Sequence, residues 1–260
     1  MHRGRTVLAM DCALAGAERH RGRPLNSVVR RHMDPGEILN RGKTAAFEGR
    51  NEEALRDFLW FHNHALEHDE SYYGVRLSFA LGHWMELAQV YPPALQALQS
   101  VKEQGERALL RGEGGRRLFH EVTSINREMA RTGDTYKLFL GLRTDQPSLA
   151  KQCADLAVDA VVEARDFKLA SECLPHPESY LLWLSERLND DLGRQGVPPK
   201  TAKRRREAYV SNYCHDVRTT LQILKGLGNS EAAHAALEWA IALVQPRHAR
   251  AMVCARLVAK

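Results

Sequence analysis

At 260 residues, 44% hydrophobic and 27% charged, the chain can bury a sizeable interior as one large domain, two small ones or an array without a central core, with no need of metal or disulfide staples. No run approaches the roughly 18 apolar residues of a membrane span, and the five cysteines, odd in number and far apart, suit a reducing, cytoplasmic setting better than a disulfide framework or a CxxC ligand pair. The net charge of +5 is carried by residues 1–32, where seven arginines face only Asp11 and Glu18, so that from Met33 onward the formal charge is zero.

The basic start has a short apolar run that Asp11 breaks, and no signal-peptide core follows. Residues 1–32 therefore read as a disordered extension, or as sequence ahead of a true start at Met33. A nucleic-acid-binding arm is the weaker reading, since its arginines lack aromatic stacking partners. Asp34-Pro35 then offers a capping residue and a first-turn proline. Helical periodicity continues over 35–47, 52–66, 72–89, 93–111, 116–132, 134–143, 148–164, 167–174, 177–192, 202–227, 230–245 and 247–258. Glycines and prolines punctuate most of these segments, as at Gly49, Pro92-Pro93, Gly133, Pro147, Gly228 and Pro246. The poorest stretch, "GRQGVPPKTAKRRR" from Gly193 to Arg206, predicts a division into a helical-repeat region over 33–192, a linker over 193–201 and C-terminal helices over 202–260 stacked on the same array. Its basic run reads as a solvated linker and helix start, with a patch for nucleic acid or an acidic partner as the weaker alternative.

A ladder of spacings connects the hairpins. Gly42, Gly49, Ala54 and Phe58 stand at offsets 0, 7, 12 and 16, matched by Gly82, Gln89, Ala94 and Leu98 and by Asn126, Gly133, Leu138 and Leu142. Val158, Arg165, Ala170 and Leu174 continue it, and Leu221, Gly228, Ala233 and Leu237 close it. Small residues let two helix backbones approach, and the larger residue one turn on fills the groove between them. One hairpin cannot bury its apolar face alone, so stacked neighbours must supply a continuous core.

The units "ALGHW", "EGRNEEALRDF" and "GLGNSEAAHAALEWAIALVQP" resemble the tetratricopeptide repeat (TPR), through Leu81 and Gly82, through Gly49, Ala54 and Phe58, and through Gly228, Ala233, Ala240 and Pro246. The central positions 54, 94, 138, 170 and 233 are 40, 44, 32 and 63 residues apart, against the family's steady period of about 34. The resemblance implies an all-α solenoid of antiparallel helical hairpins whose first helices line a concave face that holds a partner peptide or helix. A generic helical bundle and another α-solenoid type are the competing architectures.

Carried onto this chain, the resemblance places Lys43 in the groove from the first unit and Phe79, His83 and Glu86 from the second. His120, Thr123 and Arg127 follow from the third and Asp155 and Asp159 from the fourth, while His215, Arg218, Gln222 and Lys225 complete the face from the last. The expected partner is another protein presenting an acidic or mixed-charge peptide. A clamp for a C-terminal carboxylate is disfavoured, because Ala80 and Ser124 stand where polar clamp residues belong. A homodimer remains open; an all-helical enzyme or small-ligand binder and a nucleic-acid-associated regulator are the other classes.

Chemistry motifs are sparse, so no cofactor, metal or catalytic residue is expected. Neither GxxxxGK[ST] nor GxGxxG occurs. In "HNHALEH", His64 and His68 have the four-residue spacing of a chelating pair, yet surface or packing roles suit them better. Cys214, His215 and Asp216 are adjacent in sequence and so cannot face one another on a helix. Trp183 and Trp239, set among leucines and alanines, are expected in the core. Trp60-Phe61 and Tyr72-Tyr73 cannot all face inward, so part of that cluster should protrude as a binding anchor or homodimer contact.

Overall fold

The helices of this chain start and stop where its prolines and short polar side chains allow. Pro35, Pro92, Pro147 and Pro177 each open a helix, where the missing N–H is no loss. The carboxylates of Asp34 and Asp166 and the amide oxygen of Asn229 accept bonds from backbone N–H groups of Gly36, Leu169 and Ala232, at 2.8, 3.1 and 3.1 Å. The computed structural model describes residues 34–194 and 199–258; the extension expected over 1–32 lies outside them. Residues Asp34–Lys260 form one unit.

That unit is all-α. Helix α1 (Pro35–Phe47) pairs with α2 (Asn51–His68), and a 3-10 turn (Glu70–Tyr72) leads into the short α3 (Tyr73–Arg76). Then come α4 (Phe79–Val90), α5 (Pro92–Leu110), α6 (Arg116–Glu128), α7 (Thr132–Asp145), α8 (Pro147–Glu163) and α9 (Phe167–Cys173). The chain ends with α10 (Pro177–Gly193), α11 (Pro199–Gly226), α12 (Ser230–Ala242) and α13 (Arg247–Val258). Helix α10 runs to Gly193 and α11 begins at Pro199, so helices reach into both ends of the segment 193–201.

Four hairpins, α1–α2, α6–α7, α8–α9 and α11–α12, share one three-residue turn. Its middle residue is Gly49, Ala130, Arg165 or Gly228, at φ of 77°, 54°, 61° and 82°. In each, that residue's N–H donates to the carbonyl three back, and the next N–H donates to the carbonyl five back, closing the last helical turn. This corrects the third rung of the ladder. The turn residue there is Ala130, while Gly133 lies inside α7. The equivalent of Ala54, Ala170 and Ala233 is then Thr135, and all four are buried.

The helix expected over 72–89 is broken at Leu77 and Ser78. Arg76 turns inward there, and its guanidinium donates 2.7 Å to Glu121 of α6 and binds the His62 carbonyl of α2. His62 lies 2.9 Å from the same carboxylate and meets Trp84 edge-on. Burial alone would push the Glu121 carboxyl up, but His62 and Arg76 hold it below the ordinary glutamate range. One buried ionic knot thus ties α2, α3 and α6 together.

The interior falls into three successive apolar groups. The first is built on Ala54, Phe58, Phe61, Trp84 and Leu98, the second on Phe119, Phe139, Leu142 and Val161, and the third on Leu184, Val210, Val217 and Val253. Helix α6 joins the first two, giving Ile125 to one and Phe119 and Val122 to the other. Helix α11 joins the last two through Ile223 and Leu221. Among the described residues, the main helix contacts link elements no more than three places apart in the chain. One series of contacts runs α1 to α4, α4 to α6, α6 to α8 and α8 to α11, and α5 lies against α7 beside it.

Candidate functional site: a polar face on α6, α8 and α11

Helices α6, α8 and α11 each bury one stripe and leave polar side chains along the seams between them. At the α6–α8 seam, Arg116 grips Asp155 with both guanidinium arms, one at 2.7 Å, and holds that carboxyl below its usual range against the opposing effect of burial. His120 meets the Tyr73 hydroxyl at 2.8 Å. Burial lowers its pKa below the ordinary histidine value, and the charges of Arg127 and Arg116 lower it further.

At the α8–α11 seam, Asp159 is bound from two successive turns of one helix face. His215 Nε2 lies 2.9 Å from one oxygen, and the Thr219 hydroxyl donates to the other at 3.2 Å. Burial pushes the Asp159 carboxyl up, but these partners and Arg127 bring it below the normal aspartate value. The same hydrogen bond raises the His215 pKa above 6.5. Cys214, next in sequence, points into the core and takes no part.

This pair forms the shared wall of two open recesses. One, of about 640 Å³, is bordered by Arg165, Phe167, Arg218, Gln222 and Lys225. The other, of about 460 Å³, is bordered by Arg127, Arg187, Asp191, Tyr209, Asn212 and Asp216. Arg127 and Arg218 spend donors on the backbone carbonyls of Leu77 and Arg256, at 3.2 and 2.7 Å. The closest carboxylate to Arg127 is 3.7 Å away, at Glu128. Lys225 forms no ion pair among the described residues. One recess thus sets Arg165, Arg218 and Lys225 beside Glu163 and the paired Asp159, and the other sets Arg127 and Arg187 beside Asp191 and Asp216, so the face is of mixed charge.

The structure brings Arg127, Asp159, His215, Arg218, Gln222 and Lys225 together around these recesses. Asp155, His120 and Thr123 lie further along α6 and α8, the Thr123 hydroxyl donating to the His120 carbonyl of its own helix. The early candidates are not part of the cluster. Lys43 and Phe79 are exposed, and His83 pairs with Glu86 on its own helix at 3.0 Å; none of the four borders either recess. Sequence reasoning missed Thr219, although its spacing of four from His215 puts both on one face. Arg187 and Asp191 come from α10, a helix outside the ladder, and carried no such signal.

Trp183 and Trp239 also differ from expectation, being 51% and 36% exposed. The buried stripe of α10 is Leu181, Leu184 and Leu188, and Trp183 falls outside it. Its ring stacks on Tyr180 at 5.9 Å and lies under the Arg187 guanidinium. In the first half, Phe61 and Trp84 are buried while Phe79 protrudes, 73% exposed. His64 and His68 both pack against Trp60. No group of three or more metal-ligating side chains occurs among the described residues. Burial drives the Cys153 and Cys173 thiols up to about 11, so neither is a thiolate at neutral pH. Comparison of the chain with protein-family models, curated proteins and solved structures found no match.

Proposed function

We propose that this protein is a TPR-like helical-repeat scaffold that holds an acidic or mixed-charge partner peptide along α6, α8 and α11. The observation that carries this reading is the contact series through α4, α6, α8 and α11, with Arg127, His215, Arg218 and Lys225 on its exposed side beside two recesses. Four hairpins closed by one turn geometry, each with a buried small residue five positions on, support a repeat origin. Serial packing of short-range neighbours supports a solenoid, in which stability is shared between adjacent units. The free, buried thiols of Cys153, Cys173 and Cys214 fit a reducing, cytoplasmic setting.

Electrostatics then favour a partner whose carboxylates meet Arg127, Arg218 and Lys225, setting encounter rate and register more than total affinity. A peptide array of graded acidic content tests this. Binding should rise with acidity and fall at least about tenfold in the Arg127→Glu, Arg218→Glu chain, while the helical spectrum is retained. Binding that ignores peptide charge, or survives the double reversal, contradicts the reading.

A further inference from the structure

The zero formal charge beyond Met33 is a cancellation. Residues 34–194 carry nineteen lysines and arginines against twenty-six acidic residues, whereas residues 195–260 carry eleven against four. Four of those eleven are adjacent in sequence. Lys203, Arg204, Arg205 and Arg206 are consecutive and exposed on α11, ahead of Val210, the first residue of that helix in the third apolar group. Four consecutive residues at 100° steps spread their side chains around most of the helix circumference. Of these four, only Lys203 approaches a carboxylate among the described residues, Glu207 at 4.0 Å. The Arg205 guanidinium lies over the Tyr209 ring at 5.8 Å and donates to its hydroxyl at 2.8 Å, which leaves its charge uncancelled. Arg256 of α13 reaches the Glu207 carbonyl at 3.4 Å and extends the basic surface beside the collar.

We infer that this cationic collar is a second binding surface, adjoining the α6–α8–α11 face at Tyr209, and that it takes the phosphate backbone of duplex DNA in a sequence-independent manner. The occupant follows from how the charge is distributed. A flat anionic membrane satisfies cations on one side of a helix, and a membrane-surface helix needs an apolar opposite face; the positions from Lys203 to Arg206 supply none. A major groove about 12 Å wide admits an α-helix and has phosphates along both walls, matching cations spread around the axis. Duplex RNA fits poorly, because its major groove is too narrow to enter. No base-reading side chain is needed, so the expected contacts are electrostatic.

Fluorescence anisotropy of the full chain with a labelled DNA duplex of about 20 base pairs tests the inference. Four phosphate contacts predict an affinity loss of about 100-fold between about 50 and 200 mM salt. Converting Lys203, Arg204, Arg205 and Arg206 to Gln should flatten that dependence and weaken binding at low salt by a similar factor. Because these side chains are exposed, the helical spectrum and melting temperature should not change. A second chain, with Arg3, Arg5, Arg19, Arg21, Arg23, Arg30 and Arg31 changed to Gln, should keep most of the salt-dependent binding. The inference is overturned if the collar variant binds as well as the unaltered chain, or if the second variant alone abolishes binding. It is equally overturned if duplex RNA or phosphatidylserine vesicles bind as tightly as DNA, or if the full chain does not bind DNA at low salt.

Discussion

Gly226→Ala is expected to destabilise the protein, the reverse of what the same change does in an unobstructed helix. Gly226 is the last residue of α11, and the ring of Phe167, the first residue of α9, rests against its bare Cα. A Cβ added there would lie 2.5 Å from Phe167 Cδ1 and closer still to Cγ and Cδ2. Carbon atoms settle at about 3.5–4.0 Å, so the ring must retreat by more than about 1 Å. Overpacking of this kind costs about 1–3 kcal/mol, partly offset by the roughly 1 kcal/mol that alanine gains over glycine in a helix. The net expectation is a loss of up to about 2 kcal/mol, read as a lower urea midpoint at unchanged slope. Removing the ring should remove the conflict, so in a Phe167→Ala background the glycine change should be neutral or stabilising. If Gly226→Ala alone stabilises by about 1 kcal/mol, the ring does not rest on that backbone and the α9–α11 joint is misdescribed. Phe167 also borders the recess beside Asp159 and His215, so the displaced ring should narrow that recess and weaken peptide binding in parallel.

Other joints give further expectations. Ala130→Gly should stabilise by about 1 kcal/mol in urea melts, because a positive φ of 54° strains any residue with a Cβ. Glu121→Gln leaves the buried Arg76 without its carboxylate and should cost about 3 kcal/mol, the low end of the range for a broken buried pair because Glu121 keeps 17% exposure. Since the Glu121 pKa is lowered from 4.5, its contribution is present above pH 4.5 and is lost as pH falls through the folded value; melts of the Gln variant should lack that acid-side loss. For His215 the sign is opposite: its pKa is raised above 6.5, so its contribution is complete below pH 6.5 and fades as pH rises through the folded value. An NMR titration should place the His215 imidazole above 6.5 and return it towards 6.5 in Asp159→Asn, with the stability change small because both side chains are 59% exposed.

Helix positions were legible in the sequence because periodicity and proline punctuation agree, as at Pro92, Pro147 and Pro177. The first and last rungs of the ladder were legible because Gly49 and Gly228 announce their turns. The third was not, since Ala130 takes the same left-handed conformation with no glycine to mark it, and Gly133 nearby offered a false register. The break after Arg76 was hidden for a different reason: its cause is a buried carboxylate 45 residues away in Glu121, and no local pattern reports a distant partner. The late half of the candidate face emerged from the ladder because His215, Arg218, Gln222 and Lys225 recur at helical spacing on one face of α11. Arg187 and Asp191 stayed invisible because α10 approaches that face only through tertiary packing. Trp183 and Trp239 show that apolar neighbours in sequence do not make a core position; the register of the leucine stripe does.

Hydrogen–deuterium exchange of the full chain, with and without a peptide selected from the acidic array, tests the central claim most directly. The account predicts added protection over 116–128, 147–163 and 209–226, the segments of α6, α8 and α11 that carry Arg127, Asp159 and His215. Protection concentrated instead on α5, α7, α9 or α12, with those three segments unchanged, would contradict it.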